Sequence, residues 1–200
     1  MRAEVAHDLS TSSLDFMREV VPAISHIIGG GVVEPVECST SSGMMRNLDM
    51  LAGIDAWQVI TDEGMRGLAS RVQWGDRCWD TFTIREHRPS GAVTELEKRQ
   101  RGRDMACRGY VHPHLTVHAY LTKPRGEGHL IGVGVARTDD LLDYVELCLE
   151  ATSGQVPSRP DWSGVWRQVN HDDGVTFLCI PWRGLEECGY DVKTVEGVFS

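Results

Sequence analysis

The sequence lacks several signals that would define a class of protein at once. No stretch approaches the roughly 20 apolar residues that a membrane span requires, and the N-terminal residues contain no continuous apolar core. We therefore expect a cytoplasmic protein with no membrane partner. The six cysteines form no CxxC pair and have no spacing typical of a zinc site. Reduced thiols are the expected state.

Motifs of an activated nucleophile and of a phosphate loop are also missing. There is no GxSxG, and no cysteine stands in a motif that activates a thiol. The three glycines at 29–31 are not followed by GK[ST]. Serine or cysteine catalysis and nucleotide hydrolysis by a phosphate loop are therefore disfavoured.

Positive charge is scarce overall but concentrated in one segment. The formal net charge of -9 disfavours non-specific attraction of the whole chain to polyphosphate. Between residues 85 and 108, basic residues nevertheless outnumber acidic ones. They are Arg85, Arg88, Lys98, Arg99, Arg101, Arg103 and Arg108. This segment predicts either a basic cleft that contacts a nucleic-acid backbone or a solvated, charged helix.

Hydrophobic periodicity predicts a mixed central β-sheet flanked by helices, in the α/β class. A helix begins at Ser12 or Ser13 and is kinked by Pro22. A short strand follows from Val32 to Cys38, and because Pro35 interrupts it, we expect it at the edge of the sheet. Further strands are expected at 53–60, 68–74, 80–87, 114–121, 129–136, 165–169 and 175–180, and helices at 94–107, 138–153 and 183–188. We expect a single domain over 1–200, with its core at 13–150 and a C-terminal hairpin and helix at 160–200.

Polar residues on the strands 53–60 and 68–74 are the first candidates for chemistry. If the intervening loop is centred on Gly64, an antiparallel register sets Asp55 opposite Gln73 and Trp57 opposite Arg71 on one face. A carboxylate on a central strand is costly to bury unless it is paired or binds a cation. A structural contact of Asp55 and a cation site both remain open.

The order of a helix, a strand, a strand with Gly-Ile-Asp at 53–55 and a returning strand with alternating polar residues resembles the PD-(D/E)XK nuclease superfamily. The resemblance covers mainly residues 13–121 and implies a restriction-endonuclease-like fold. It also implies a metal-dependent phosphodiesterase that binds nucleic acid, with Mg²⁺ or Mn²⁺ as cofactor. By resemblance, Asp55 and Glu19 hold the metal, and Arg71 and Gln73 occupy the positions of the family's strand acid and lysine.

Those last two residues depart from the family's pattern. Arg71 cannot ligate Mg²⁺ because a guanidinium offers no lone pair, whereas Gln73 could ligate through its carbonyl oxygen. Lys98, one helical turn from Glu95, could supply the missing cation. The alternative is a catalytically inactive, nuclease-like interaction protein that binds nucleic acid or a protein partner. DNA is the expected partner rather than RNA, and a homodimer is left open.

Two further features bear on function. His112, His114 and His118 share parity along an extended segment and could bind Zn²⁺ or another transition metal, although Pro113 interrupts them and no acid lies nearby in sequence. Separately, the segment DTFTIREHRPSGAVTELEKR at 80–99 is similar to sequences of mobile-element proteins. It predicts a phage or plasmid setting.

Overall fold

Two β-sheets and four helical segments make up the computed structural model, which describes residues 11–36, 52–124, 126–160 and 164–196. The helical segments are α1 (11–24), α2 (Glu95–Asp104), α3 (Thr138–Ala151) and α4 (Trp182–Glu187). The strands are β1 (Val32–Pro35), β2 (Ala56–Ile60), β3 (Gly64–Trp74), β4 (Thr81–His87), β5 (Leu115–Leu121), β6 (Leu130–Arg137), β7 (Trp166–Val169), β8 (Thr176–Pro181) and β9 (Val192–Glu196). The ends of the predicted domain 1–200 lie outside these ranges, as do residues 37 and 38 of the first predicted strand.

The larger sheet has six strands in the order β1-β2-β3-β5-β6-β9. Strands β3 and β5 pair in parallel, and every other neighbouring pair is antiparallel. The mixed central sheet of an α/β protein is therefore confirmed. The edge position of β1 is confirmed as well.

Strand β4 does not continue this sheet. It pairs antiparallel with β8, and β8 pairs with β7, in a separate three-stranded sheet of order β4-β8-β7. The strand predicted at 80–87 is therefore present, but it belongs to a different sheet from β2 and β3. The predicted C-terminal hairpin of β7 and β8 is confirmed, and it supplies the partner of β4.

The central sheet separates two apolar clusters. On one face, Phe16, Val20 and Ile24 of α1 pack in a cluster with Val72 and Val117 of the sheet. On the other face, the cluster includes Tyr120 of β5, Phe82 of β4, Leu142 of α3 and Leu178 of β8. Because side chains alternate along a strand, β3 and β5 contribute to both faces. The second sheet thus covers the face of β3 that carries Arg71 and Gln73.

Helix α1 is irregular where the sequence predicts a kink. A π-helical turn, Phe16–Val20, precedes the α-helical turn Val21–Ile24, which contains Pro22. Pro22 lacks an N–H, and its ring would clash with the carbonyl of the preceding turn, so a regular α-helix cannot pass through it. After the helix, Gly31 adopts φ +84°, and a Cβ there would clash with the carbonyl oxygen of Val59. Only glycine fits this approach of the chain to β2.

A capping box begins α2, at the start of the helix predicted at 94–107. The Thr94 hydroxyl accepts from the Glu97 N–H (3.3 Å), and the Glu97 carboxylate accepts from the Thr94 N–H (2.7 Å). The helix ends at Asp104, and a short 3₁₀ turn, Ala106–Arg108, follows. The box fixes the first turn of α2, which carries Glu95 and Lys98.

None of the helices in the described ranges combines the length and apolarity needed to cross a membrane.

Candidate functional site

The register of β2 and β3 differs from the predicted one. Ile60 pairs with Gly64, and Trp57 with Gly67, so the turn lies at 61–63 and Gly64 already belongs to the strand. The predicted pairings of Asp55 with Gln73 and of Trp57 with Arg71 are therefore wrong. The observed register differs from the predicted one by an even number of positions, so each side chain still lies on the predicted face of the sheet.

A cleft of about 840 Å³ is bounded by β3, β4 and the first turns of α2. It brings together seven predicted site residues: Asp55, Arg71, Gln73, Arg85, Arg88, Lys98 and Arg99. Ser12 of α1, Ser70 of β3 and Glu95 of α2 are among its other lining residues. The cleft thus joins the hairpin of β2 and β3 to the basic segment.

Glu95 contacts two of the arginines in this cleft. Its carboxylate lies 3.1 Å from Arg71 Nη2 and 3.4 Å from Arg85 Nη1, and it accepts a hydrogen bond from the Arg85 N–H (3.2 Å). Burial alone would raise the pKa of Glu95, but Arg71, Arg99 and Arg85 together lower the pKa to about 2. Glu95 is therefore ionised at neutral pH and offsets part of the positive charge.

Phe177 of β8 makes cation–π contacts with the same two arginines. Its ring centroid lies 4.7 Å from the Arg71 guanidinium carbon and 5.5 Å from that of Arg85. A carboxylate and an aromatic face thus fix the orientation of two guanidinium groups before any ligand arrives. Phe177 was not predicted from the sequence, because its pairing with β4 is not visible in any local pattern.

Three guanidinium groups in the cleft have unused hydrogen-bonding capacity. The Nε atoms of Arg85, Arg88 and Arg99 are buried and make no hydrogen bond. The Arg99 side chain is only 6% exposed, and its Nη1 donates to the Thr116 hydroxyl at 3.3 Å. Burial lowers the pKa of Arg85 and of Arg99, which reflects the cost of removing these cations from water. A bound anion would offset that cost.

Asp55 is tied to the backbone of β3. Its Oδ2 accepts a hydrogen bond from the Ser70 N–H at 2.6 Å and lies 3.4 Å from the Ser70 hydroxyl. Gly53, two residues earlier, adopts φ +67°, a left-handed conformation that favours glycine. The Gly-Ile-Asp segment therefore bends into the cleft and docks on β3.

The donor set of the cleft does not fit Mg²⁺ or Mn²⁺. Among the described residues, only Asp55 and Glu95 bring carboxylates to it, and Glu95 is already engaged by two arginines. Five cationic side chains line the same cleft and would repel a divalent cation. Among the described residues, no group of three or more His, Cys, Asp and Glu side chains could hold a metal ion.

Glu19 is not among the residues that line the cleft. The buried acid of α1 is Asp15, whose carboxylate accepts hydrogen bonds from Trp74 Nε1 (2.9 Å) and from the Gly126 N–H (2.7 Å). The structure therefore does not bring Glu19 together with Asp55 as the predicted pair of metal ligands. Helical spacing places Glu19 one turn beyond Asp15, but spacing alone cannot tell which acid is buried.

Arg101 and Arg103 also lie outside the cleft. Arg101 is exposed. Arg103 donates to Asp143 of α3 at 3.0 Å and also bonds Glu146, so it joins α2 to α3. The structure thus gives Arg103 a role in joining two helices, and its contact with nucleic acid stays a prediction.

The three histidines do not converge on one point. His112 Nε2 lies 3.1 Å from Asp139 Oδ1, and His114 Nδ1 accepts from the Gly67 N–H at 3.1 Å. His118 is buried in β5 and stacks on Tyr120, with 4.5 Å between ring centroids. The predicted transition-metal site is therefore not formed by this trio.

Comparisons with models of known protein families, with curated proteins and with solved structures gave no match for this chain.

Proposed function

We propose that this chain is a divergent domain of the PD-(D/E)XK nuclease-like type that binds nucleic acid in the cleft between β3, β4 and α2 without hydrolysing it. DNA is the expected partner. The observation that carries the proposal is the group of five cationic side chains among the described residues that line this cleft; they include Arg85, Arg88 and Arg99, whose buried Nε atoms make no hydrogen bond.

Charge supports this choice of ligand. Five cationic side chains and two carboxylates line the cleft, although the chain as a whole carries a net charge of -9. Guanidinium groups bind phosphate through paired N–H donors, and they remain positively charged at any ordinary pH. An acidic exterior with one basic cleft directs a polyanion to that cleft.

The order of elements supports the family resemblance. A helix is followed by three antiparallel strands, β1, β2 and β3, and a later helix leads to β5, which pairs in parallel with β3. The Gly-Ile-Asp segment opens the second of these strands, as the resemblance implies. A restriction-endonuclease-like fold is therefore part of the proposal.

The chemistry of the cleft favours binding over hydrolysis. The family's strand acid and lysine are replaced by Arg71 and Gln73, and Arg71 donates a hydrogen bond to Glu95. In the part of the chain that the structure describes, the cleft offers no donor set that fits a metal able to activate water. The inactive, nucleic-acid-binding alternative therefore fits the geometry better than the nuclease.

Fluorescence anisotropy with labelled oligonucleotides tests the proposal. Arg88→Ala should weaken binding roughly fourfold to fivefold in about 0.15 M salt, the effect expected for one lost phosphate contact. Arg183→Ala removes a cation whose side chain is 79% exposed on α4 and should leave the affinity unchanged. Equal affinities of the two variants would contradict the proposed cleft.

A cleavage assay tests the inactive character separately. Labelled DNA and RNA are incubated with the protein in the presence of Mg²⁺, Mn²⁺ or a chelator. We expect no cleavage in any condition and no effect of the chelator on binding. Metal-dependent cleavage that is lost in Asp55→Ala would overturn the inactive assignment and support the nuclease prediction instead.

A further inference from the structure

The cleft does not end at Arg71 and Gln73. Both residues also line a neighbouring cavity of about 440 Å³, which extends along β4 to the hairpin of β7 and β8. A third cavity of about 410 Å³ shares Gln73, Thr83 and Gln168 with the second one and continues towards Trp79. The three cavities therefore form one groove, which passes from the cationic cleft to the tip of the β7–β8 hairpin.

The chemistry changes along this groove. The cleft is dominated by cations, whereas the second cavity presents the amide side chains of Gln73, Gln168 and Asn170 and the ring of Phe177. Amide groups offer both donors and acceptors, which is what the edge of a nucleobase requires. The ring adds a flat apolar surface, which favours contact with the face of a base.

Two observations point to an occupant in this part of the groove. Thr83 lines both the second and the third cavity, and its hydroxyl oxygen is buried and makes no hydrogen bond. The second cavity also falls within the range of roughly 300 to 1,000 Å³ that is typical of small-molecule sites, so it can hold one nucleoside. A base that remains paired and stacked in a duplex cannot enter such a cavity, because its neighbours in the stack and its pairing partner hold it inside the helix.

We infer that the groove holds a single strand of nucleic acid, with a phosphate on Arg85, Arg88 and Arg99 and the adjoining nucleobase in the cavity under the β7–β8 hairpin. This inference rests on the proposed function and narrows its ligand to the unpaired strand. The shared residues Arg71 and Gln73 mark the passage between the phosphate and the base. The β7–β8 hairpin then acts as one wall of the binding site.

Anisotropy titrations with three labelled ligands test this inference. The ligands are a single-stranded DNA, a single-stranded RNA of the same sequence and the corresponding DNA duplex. We expect a single strand to bind about tenfold or more tightly than the duplex, since base stacking adds to the phosphate contacts. A strand of either sugar type that outcompetes the duplex supports the inference, whereas equal or tighter binding of the duplex overturns it.

A pair of matched double variants tests the hairpin wall. Gln168→Ala/His171→Ala removes two exposed side chains that line the second and third cavities, and it should weaken single-strand binding about threefold or more. Gln155→Ala/His129→Ala removes the same two residue types at exposed positions outside the groove and should have no effect.

The outcomes separate this inference from the proposed function. If Arg88→Ala weakens binding while Gln168→Ala/His171→Ala does not, the cleft stands and the single-strand groove is overturned. If no ligand binds, both the proposed function and this inference are overturned. Circular dichroism and urea unfolding of each variant exclude misfolding as the cause of lost binding.

Discussion

At the scale of single residues, the cleft combines an excess of cationic side chains with one carboxylate that is paired to two of them. Glu95 holds Arg71 and Arg85 in place at 3.1 and 3.4 Å, and Phe177 covers both guanidinium groups. This arrangement orients the arginines but also competes with a phosphate for them. Glu95 therefore contributes to stability and opposes binding at the same time.

Glu95→Gln separates these two effects. We expect the variant to bind nucleic acid more tightly, because the cleft loses a negative charge. We also expect a lower free energy of unfolding near pH 7, by on the order of 2 kcal/mol, because the pKa of Glu95 is lowered to about 2 in the folded state. Anisotropy and urea unfolding measure the two effects.

The sign of the pH dependence follows from that pKa. The stability that Glu95 contributes is present above the unfolded value of about 4.5 and is lost as the pH falls towards about 2. The loss of stability on acidification should therefore be smaller in Glu95→Gln than in the wild type. Glu187→Gln, which alters an exposed ion pair with Arg183 on α4, should change neither stability nor binding appreciably. Parallel acid profiles of wild type and Glu95→Gln would contradict the assigned pKa.

His118 gives a second test at this scale. Burial, and to a lesser degree Arg71, lowers the pKa of His118 to about 3, and neither ring nitrogen makes a hydrogen bond. The unfolded chain takes up a proton near pH 6.5 that the folded chain excludes, so His118 lowers stability as the pH falls from about 6.5 towards 3. His118→Phe should reduce this slope by up to about 1.4 kcal/mol per pH unit.

Urea unfolding between about pH 7 and pH 4.5 measures the His118 effect. Stability near pH 7 should change little, since a phenyl ring can retain the contact with Tyr120 and removes two unpaired nitrogens. His129→Phe, at an exposed position, should keep the wild-type slope. A slope that persists in His118→Phe would show that other groups cause it.

At the scale of elements, local patterns predicted most helices and strands and the β7–β8 hairpin, but not the pairing of strands that are distant in the chain. The capping residue Thr94, the turn after β7 and the kink at Pro22 each act within a few residues of their own position. The partner of β4, by contrast, is β8, which lies almost a hundred residues later in the chain. The alternation of Phe82 and Ile84 therefore predicted a strand, but it carried no information about which sheet the strand joins.

The same distinction applies to the candidate site. Asp55, Arg71 and Gln73 were predicted from a strand register that proved wrong and from the family resemblance, and Lys98 from helical spacing; all four line the cleft. The ion pairs of Glu95 and the position of Phe177 depend on contacts between distant segments. The burial of Asp15 rather than Glu19 depends on the loop at Gly126.

Gln58 of β2 joins the segment that follows α1 to the central sheet. Its side chain is fully buried, and its Nε2 donates to the carbonyl oxygens of Ile28 (2.9 Å) and Gly30 (2.6 Å). Gln58→Leu would leave both carbonyls without this donor and should lower the free energy of unfolding by about 2 kcal/mol. The urea midpoint should fall at an unchanged m-value, whereas Gln155→Leu at an exposed position should leave the midpoint unchanged. An unchanged midpoint in Gln58→Leu would contradict the stabilising role of these two hydrogen bonds.

At the scale of the whole molecule, an acidic chain concentrates positive charge in one groove. The net charge of -9 opposes binding of a polyanion anywhere else, so the strength of binding should depend steeply on salt. The groove lies between the two sheets: β3 belongs to the central sheet, whereas β4 and β8 belong to the second one. Phe177 of β8 contacts Arg71 and Arg85 across the groove. Fold and charge together define the proposed nucleic-acid site.

The salt dependence of binding to single-stranded DNA tests this account most directly. The logarithm of the affinity is plotted against the logarithm of the salt concentration for the wild type, for Arg88→Gln/Lys98→Gln in the cleft and for Arg183→Gln/Lys193→Gln on exposed surfaces. We predict that the magnitude of the slope falls by about 1.4 in the cleft variant, from two lost phosphate contacts of about 0.7 each, and that it stays unchanged in the surface variant. Equal slopes for the wild type and the cleft variant would contradict the assignment of the cleft as the phosphate-binding site.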